Sequence, residues 1–236
     1  MPKAYETWTV TPHGPIEKLT DNLWRVEAKM PNMGLRRVMT VARKDDGQLV
    51  IHNAIALDEL EMKELEAWGT PGVLVVPNGA HRLDAKIFSK RYPDMKVVAP
   101  RGSRKKVEEV VAVSAALDEL RKDPKIAFGY VEGTTELEGY MEVTSDDGKS
   151  LVLTDALFNM PHQPGFFGFV FRVLGSTGGP RVSGIARMLL VKDKKALAAQ
   201  FARFAKDSGL RRIIVGHHEV IDASPQAVLE KVAATL

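Results

Sequence analysis

Three short apolar runs, each breaking off into ionisable side chains, constrain this chain more than any other feature. The first is Gly72-Val-Leu-Val-Val-Pro-Asn-Gly-Ala-His81-Arg-Leu-Asp84, the second Ser150-Leu-Val-Leu-Thr-Asp155, and the third Arg212-Ile-Ile-Val-Gly-His217-His218. A run of four to six apolar residues closed by turn residues reads as a strand buried on both faces. In open α/β sheets, functional side chains gather where such a strand gives way to a helix. Ala85 to Arg91 has helix-forming composition and stops at Tyr92-Pro93, so His81 and Asp84 stand at such a junction.

The rest of the chain alternates in the same way. Arg36 to Arg43 and Gln48 to His52, joined through Asp46-Gly47, predict a hairpin, as do Tyr140 to Thr144 and Leu151 to Thr154 around Asp147-Gly148. Trp8 to Val10 and Leu23 to Val26 are strand-like, as are Met95 to Ala99 and Ile126 to Val131. Helices are expected at Asp58 to Trp68, ended by Gly69, and from the basic run Arg101 to Lys106 onward to Lys122, with Val110, Val113, Leu117 and Leu120 as its apolar face. Further helices are expected at Ala186 to Leu190, at Lys194 to Ser208, and after the Ser224-Pro225 start signal. Met160 to Pro180, rich in Gly and Phe, has no clear period and reads as a long loop: a lid or a homodimer contact.

Composition narrows the function. The 236 residues, 44% hydrophobic, suffice for one domain over 1–236 with a sizeable core. A formal net charge of +3 is too small to argue for a nucleic-acid partner, and the basic run Arg101 to Lys106 reads as a solvated surface loop. With no Cys there is no thiolate ligand or nucleophile. No run approaches the ~20 apolar residues of a membrane span, and Met1 to Trp8 lacks the apolar core of a signal peptide, so a cytoplasmic location without membrane contact is expected.

The order of these pieces resembles the metallo-β-lactamase-like superfamily, within it a group of unknown function. The matching pieces are Arg37-Val-Met-Thr40, Gln48-Leu-Val-Ile-His52, Val76-Pro-Asn-Gly-Ala-His81, Leu151-Val-Leu-Thr-Asp155-Ala-Leu-Phe-Asn159 and Val215-Gly-His217, spanning Asp21 to Ile221. The resemblance implies an α/β fold, a four-layer αββα sandwich of two mixed sheets flanked by helices, with the active site along one sheet edge. Active members hold two metals through His-x-His-x-Asp-His, a further His, a bridging Asp and a final His. Here that pattern is degenerate. With Asn78 in the first slot the others hold Ala80, Arg82 and Leu83; moved by one, His81 takes the second slot beside Gly79, Leu83 and Asp84. The middle His is also missing, and Glu138 to Glu142 stands in its place, whereas Asp155 and His217 match the bridging Asp and final His.

The resemblance therefore implies one divalent metal (zinc, iron or manganese) on His81, Asp155 and His217, with Asp84 and His81 as candidate catalytic groups, or else no metal at all. The first reading is a mononuclear hydrolase of esters, thioesters or phosphoesters, acting on a small molecule not identifiable from the sequence. The second is a catalytically silent small-ligand or protein-binding module. Each residue has a plainer reading: His81 bonded at its turn, Asp155 capping the next turn, His217 a hydrogen-bonded strand-end histidine near Asp155, Asp84 an ordinary surface carboxylate, His52 a satisfied core histidine and His218 on the surface.

Overall fold

The computed structural model describes residues 3–31 and 34–236. A seven-stranded sheet runs in chain order through β1 (Glu17–Thr20), β2 (Leu23–Lys29), β3 (Arg36–Arg43), β4 (Gln48–His52), β5 (Thr70–Val75), β6 (Lys96–Ala99) and β7 (Ala115–Ala116). It is antiparallel as far as β4 and parallel beyond it. The second sheet is ordered β13-β10-β9-β8, from β8 (Ile126–Tyr130), β9 (Gly139–Ser145), β10 (Gly148–Val152) and β13 (Leu210–Ile214); β13 lies parallel to β10. A small third sheet pairs β11 (Phe158–Met160) with β12 (Gly179–Arg181).

Strand alternation builds the layers. On β3, Val38 and Ala42 join Val50, Val73, Val75 and Val98 in a core shared with Met141, Val143, Val152 and Ile214 of the second sheet, so the two sheets pack face to face. The intervening residues Met39 and Val41 turn outward onto α1 (Glu59–Trp68) and α2 (Ala85–Arg91), through Met62, Leu65, Ile87 and Phe88. On the opposite outer face, Leu151, Ile213 and Val215 meet α6 (Lys194–Ala205) and α7 (Pro225–Ala233), through Leu197, Phe201, Leu229 and Val232. This is the expected four-layer α/β sandwich. Glu59 and Glu61 in the first turn of α1, and Lys90 and Arg91 in the last turn of α2, match the helix dipole. Asp193 caps α6 by accepting the Ala196 N–H.

Four expectations need correction. The helix expected up to Lys122 ends almost at once, as α3 (Arg104–Val107). Val107, Val111 and Val113 are drawn into the helix-side core and Ser114 N–H bonds Val97 O, so the chain rejoins the sheet edge as β7. The presumed loop at Met160 to Pro180 contains α4 (Gly165–Val173), followed by β12 and α5 (Gly184–Leu189). Its glycines do not prevent a helix because Gly168 packs against the Gln163 carbonyl, where a side chain could not fit. Trp8 to Val10 is not a strand. Residues 3–16 form an irregular strap in which the Trp8 indole bonds Leu57 O and packs at a tilt against Phe88. Ser224 sits at the start of α7 with φ 55° and makes no side-chain capping bond.

No described helix is long and apolar enough to cross a membrane.

Candidate metal centre

The site forms where four strand ends meet at one edge of the sandwich. Val38 N–H bonds Gly216 O and Gly139 N–H bonds Pro77 O, stitching the two sheets together there. Gly216 is required: a Cβ on it would lie 2.6 Å from Thr154 Cγ2 and 3.4 Å from His81 Cε1. The structure brings His81, Asp155 and His217 together, with one donor atom from each lying within 4.8 Å of the others. His81 Nε2 is 3.1 Å and His217 Nε2 3.3 Å from the same Asp155 oxygen, Oδ1. Phe158 stacks on the His217 ring.

The far side of each ring decides what these contacts mean. His217 Nδ1 donates to Arg36 O at 2.8 Å. His81 Nδ1 faces Asn53 Oδ1 at 3.1 Å, and Asn53 is oriented by its own amide donating to Val38 O. A carbonyl oxygen only accepts, so both Nδ1 atoms carry hydrogen and both Nε2 atoms are turned to the carboxylate. Three electron-rich atoms facing one another call for a cation between them, either a proton shared with a ring or a metal ion. Two imidazoles and a carboxylate, the imidazoles steadied by carbonyls behind them, are a fitting donor set for a divalent metal. Burial would raise Asp155, but a proton held between it and the rings, as positive charge on His81 and hydrogen bonds from His217 and His81, more than offsets this and keeps the carboxyl well below its usual range.

Two residues that the sequence placed only loosely complete the cluster. Asn78 accepts the N–H groups of Ala80 and His81 on Oδ1, which turns its Nδ2 towards Asp155 Oδ2 at 2.9 Å and Glu138 Oε2 at 3.2 Å. Glu138 is fully buried and accepts the backbone N–H groups of Thr154, Asp155 and Ala156. Burial and the Asp155 carboxylate raise Glu138, against the pull of those three N–H groups. The position of the missing middle His is thus filled by a group that faces inward and anchors the Asp155 turn. Asn53, at φ 59°, is the residue that sequence reasoning missed entirely; only its place directly after a strand end marks it.

Other candidates lie apart from the cluster. Asp84 is not the surface carboxylate expected, nor is it brought to the histidines: its side chain is 0% exposed, paired with Arg37 (4%) and accepting Ala56 N–H. His218 is 2% exposed rather than on the surface, because φ 66° turns the backbone out of strand alternation and puts its Nε2 under Arg36 N–H. Burial, then the charges of His217 and Arg36, lower it to about 4. His52 is in the core as expected but not satisfied, since its Nε2 has no hydrogen-bond partner among the described residues; burial, then His81, lowers it to about 3. In the basic run, Arg101 pairs with Asp118 and Glu119, Arg104 with Glu108, and Lys106 with Glu109.

No protein-family model matches the chain, and no curated protein sequence does. Solved structures do match. The metallo-β-lactamase DIM-1 exposed to ceftazidime superposes with TM-score 0.60 at 15% identity, covering 96% of this chain and 99% of the other. The mono-zinc form of the metallo-β-lactamase FIM-1 from Pseudomonas aeruginosa gives 0.62 at 11%, covering 96% of each chain. VMB-1 at pH 5.5 gives 0.64 at 14%, covering 96% and 99%. The chain has the metallo-β-lactamase fold. At these identities the likeness bears on the fold alone, and the chemistry must be argued from the site. Among the described residues, Asn78, Ala80, Arg82 and Leu83 supply no donor to the His81, Asp155 and His217 group, and Arg82 pairs with Glu109.

Proposed function

We propose that residues 1–236 form one metallo-β-lactamase-fold domain that holds a single divalent cation on His81, Asp155 and His217 and hydrolyses ester, thioester or phosphoester bonds of a small molecule. The observation that carries this reading is the convergence of two imidazole Nε2 atoms on one carboxylate oxygen, each ring fixed from behind by a carbonyl. Bound there, zinc, iron or manganese would supply Lewis acidity towards the oxygen of the scissile group. The protein's own work is positional. Asn53 and Arg36 O set the tautomers, Asn78 holds Asp155 Oδ2 so that Oδ1 faces the rings, and Phe158 covers one face of His217. His81 is the candidate catalytic group retained from the sequence; Asp84, committed to Arg37, is assigned a structural role instead.

Elemental analysis of the untagged protein, after dialysis against Zn²⁺, Mn²⁺ and Fe²⁺, tests this directly. One equivalent should be lost on Asp155→Ala or His217→Ala, and hydrolysis of ester and phosphoester probes should fall by roughly 100-fold or more. A metal content unchanged by both substitutions would refute the reading. The lack of further ligands in the motif favours the second reading, a silent ligand- or protein-binding module, which predicts no metal at this cluster under any of these conditions.

A homodimer belongs to the same proposal. Phe169, Val173, Met188 and Leu189 of α4 and α5 are 61–70% exposed, and apolar side chains clustered at a surface mark contact sites. Light scattering should show a dimer that Phe169→Glu combined with Met188→Glu converts to monomer; a monomeric parent protein would end this part of the proposal.

A further inference from the structure

Away from this centre, His13 lies in the strap, within Pro12-His13-Gly14-Pro15, where it bridges to Ala28 of β2 and its ring approaches the start of α1. Its Nδ1 faces Gly14 O at 2.8 Å, so that nitrogen carries a hydrogen and Nε2 is the atom open to a ligand. The side chain is only 6% exposed, and Nε2, shielded from solvent, has no hydrogen-bond partner among the described residues. It points instead at carboxylates. Asp58 Oδ2 is 3.7 Å away, too far for a hydrogen bond, and donor atoms of His13, Asp58 and Glu61 all lie within 4.8 Å of one another.

The two carboxylates are also free of their usual duties. Asp58 occupies the N-cap of α1, where an Asp side chain normally accepts an N–H of the first turn, yet it makes no such bond. Glu61, three residues on, makes no reciprocal capping-box bond. An orphaned buried nitrogen and two uncommitted carboxylates thus face one space.

We propose that His13, Asp58 and Glu61 form a second metal site, separate from the His81 centre, that takes a zinc-type dication. One imidazole with two carboxylates suits Zn²⁺, Co²⁺ or Ni²⁺, whereas Mg²⁺ and Ca²⁺ prefer oxygen ligands throughout. The site shares no residue with the first. Its role is to fasten the strap to α1, adding to the backbone bonds from Gly14 N–H to Glu27 O and from Lys29 N–H to Pro12 O that already tie the strap to β2. Two equivalents of metal per chain would then mean two separate one-metal sites, not the two-metal centre of the active fold members.

The test is Zn²⁺ and Co²⁺ titration, followed by calorimetry and native mass spectrometry, in an Asp155→Ala/His217→Ala background that lacks the first centre. One equivalent should still bind, raising the melting temperature, and its affinity should fall about 100-fold on adding His13→Gln and about 10-fold on adding Glu61→Gln. Glu61→Gln changes only a partly exposed helix side chain, so unchanged circular dichroism would separate ligand loss from misfolding. If the background variant does not fold, His13→Gln in the otherwise intact chain carries the test and should remove one equivalent while Asp155→Ala removes another. That pairing also tells failure here from failure of the first centre. No binding in a folded background variant, with nuclear magnetic resonance showing His13 as an imidazolium paired with Asp58, would overturn the proposal. So would an equivalent that survives both His13→Gln and Glu61→Gln.

Discussion

Truncating Glu138 to Ala should destabilise the protein by about 3–5 kcal/mol, a large part of a typical domain's total stability. Four donors end on its carboxyl group: the N–H groups of Thr154, Asp155 and Ala156, and Asn78 Nδ2. Each buried donor left without a partner costs about 1–3 kcal/mol, less whatever a water entering the vacated space recovers. Glu138→Gln should fall between, because the amide oxygen can serve Thr154 and Ala156 while its NH₂ meets the two donors on the other side. On β9, which Glu138 precedes, Glu142→Ala should change little, since that partly exposed side chain is hydrogen-bonded to none of these groups. Urea unfolding of the three variants measures the differences, and equal midpoints for Glu138→Ala and Glu142→Ala would refute the anchoring role. Because Glu138 sets the backbone from which Asp155 projects, the folded fraction of Glu138→Gln should also bind metal more weakly than the parent protein.

Asp84→Ala should be comparably damaging to stability yet leave the metal centre unchanged. Arg37 and Asp84 are buried together, and removing one member of a buried pair strands the other charge, at a cost of about 3–5 kcal/mol. The Ala56 N–H loses its acceptor in the same step. Burial works to raise Asp84, and the Arg37 charge and hydrogen bond oppose it, so the pair depends on staying intact. An exposed pair such as Lys18 with Glu64 should, by contrast, contribute no more than about 1 kcal/mol. Unfolding measurements on Asp84→Ala and Glu64→Ala, with metal content read on the folded protein, check both claims. A stable Asp84→Ala protein that has lost activity would return Asp84 to the catalytic role that its place in the sequence first indicated.

Much of the architecture could be read from local pattern. The helix at Ala85–Arg91 begins and ends where composition and Pro93 put it, and both Asp-Gly hairpins pair as expected. The strand ends that deliver His81, Asp155 and His217 to one edge were visible because apolar runs and turn residues are signals spanning a few neighbours. The same signals misled between Arg104 and Lys122, where a helical spacing of Val and Leu lost to the demand of β6 for a parallel partner. They misled again at His218, where one left-handed residue undid the alternation that would have put its side chain outside.

What the chain's sequence determined by itself is the order of strands, helices and turns, and which side chains stand at the strand ends, because backbone preference and hydrophobic period act between near neighbours. Tertiary structure alone decided what those side chains do. His217 finds its carbonyl on Arg36, His81 its orienting amide on Asn53, and Asp155 its backbone anchor on Glu138. Which nitrogen keeps its lone pair, and which carboxylate is buried against an arginine, follow from how two twisted sheets pack their edges together. No local pattern encodes that, because each contact joins segments brought together only when the common core is buried.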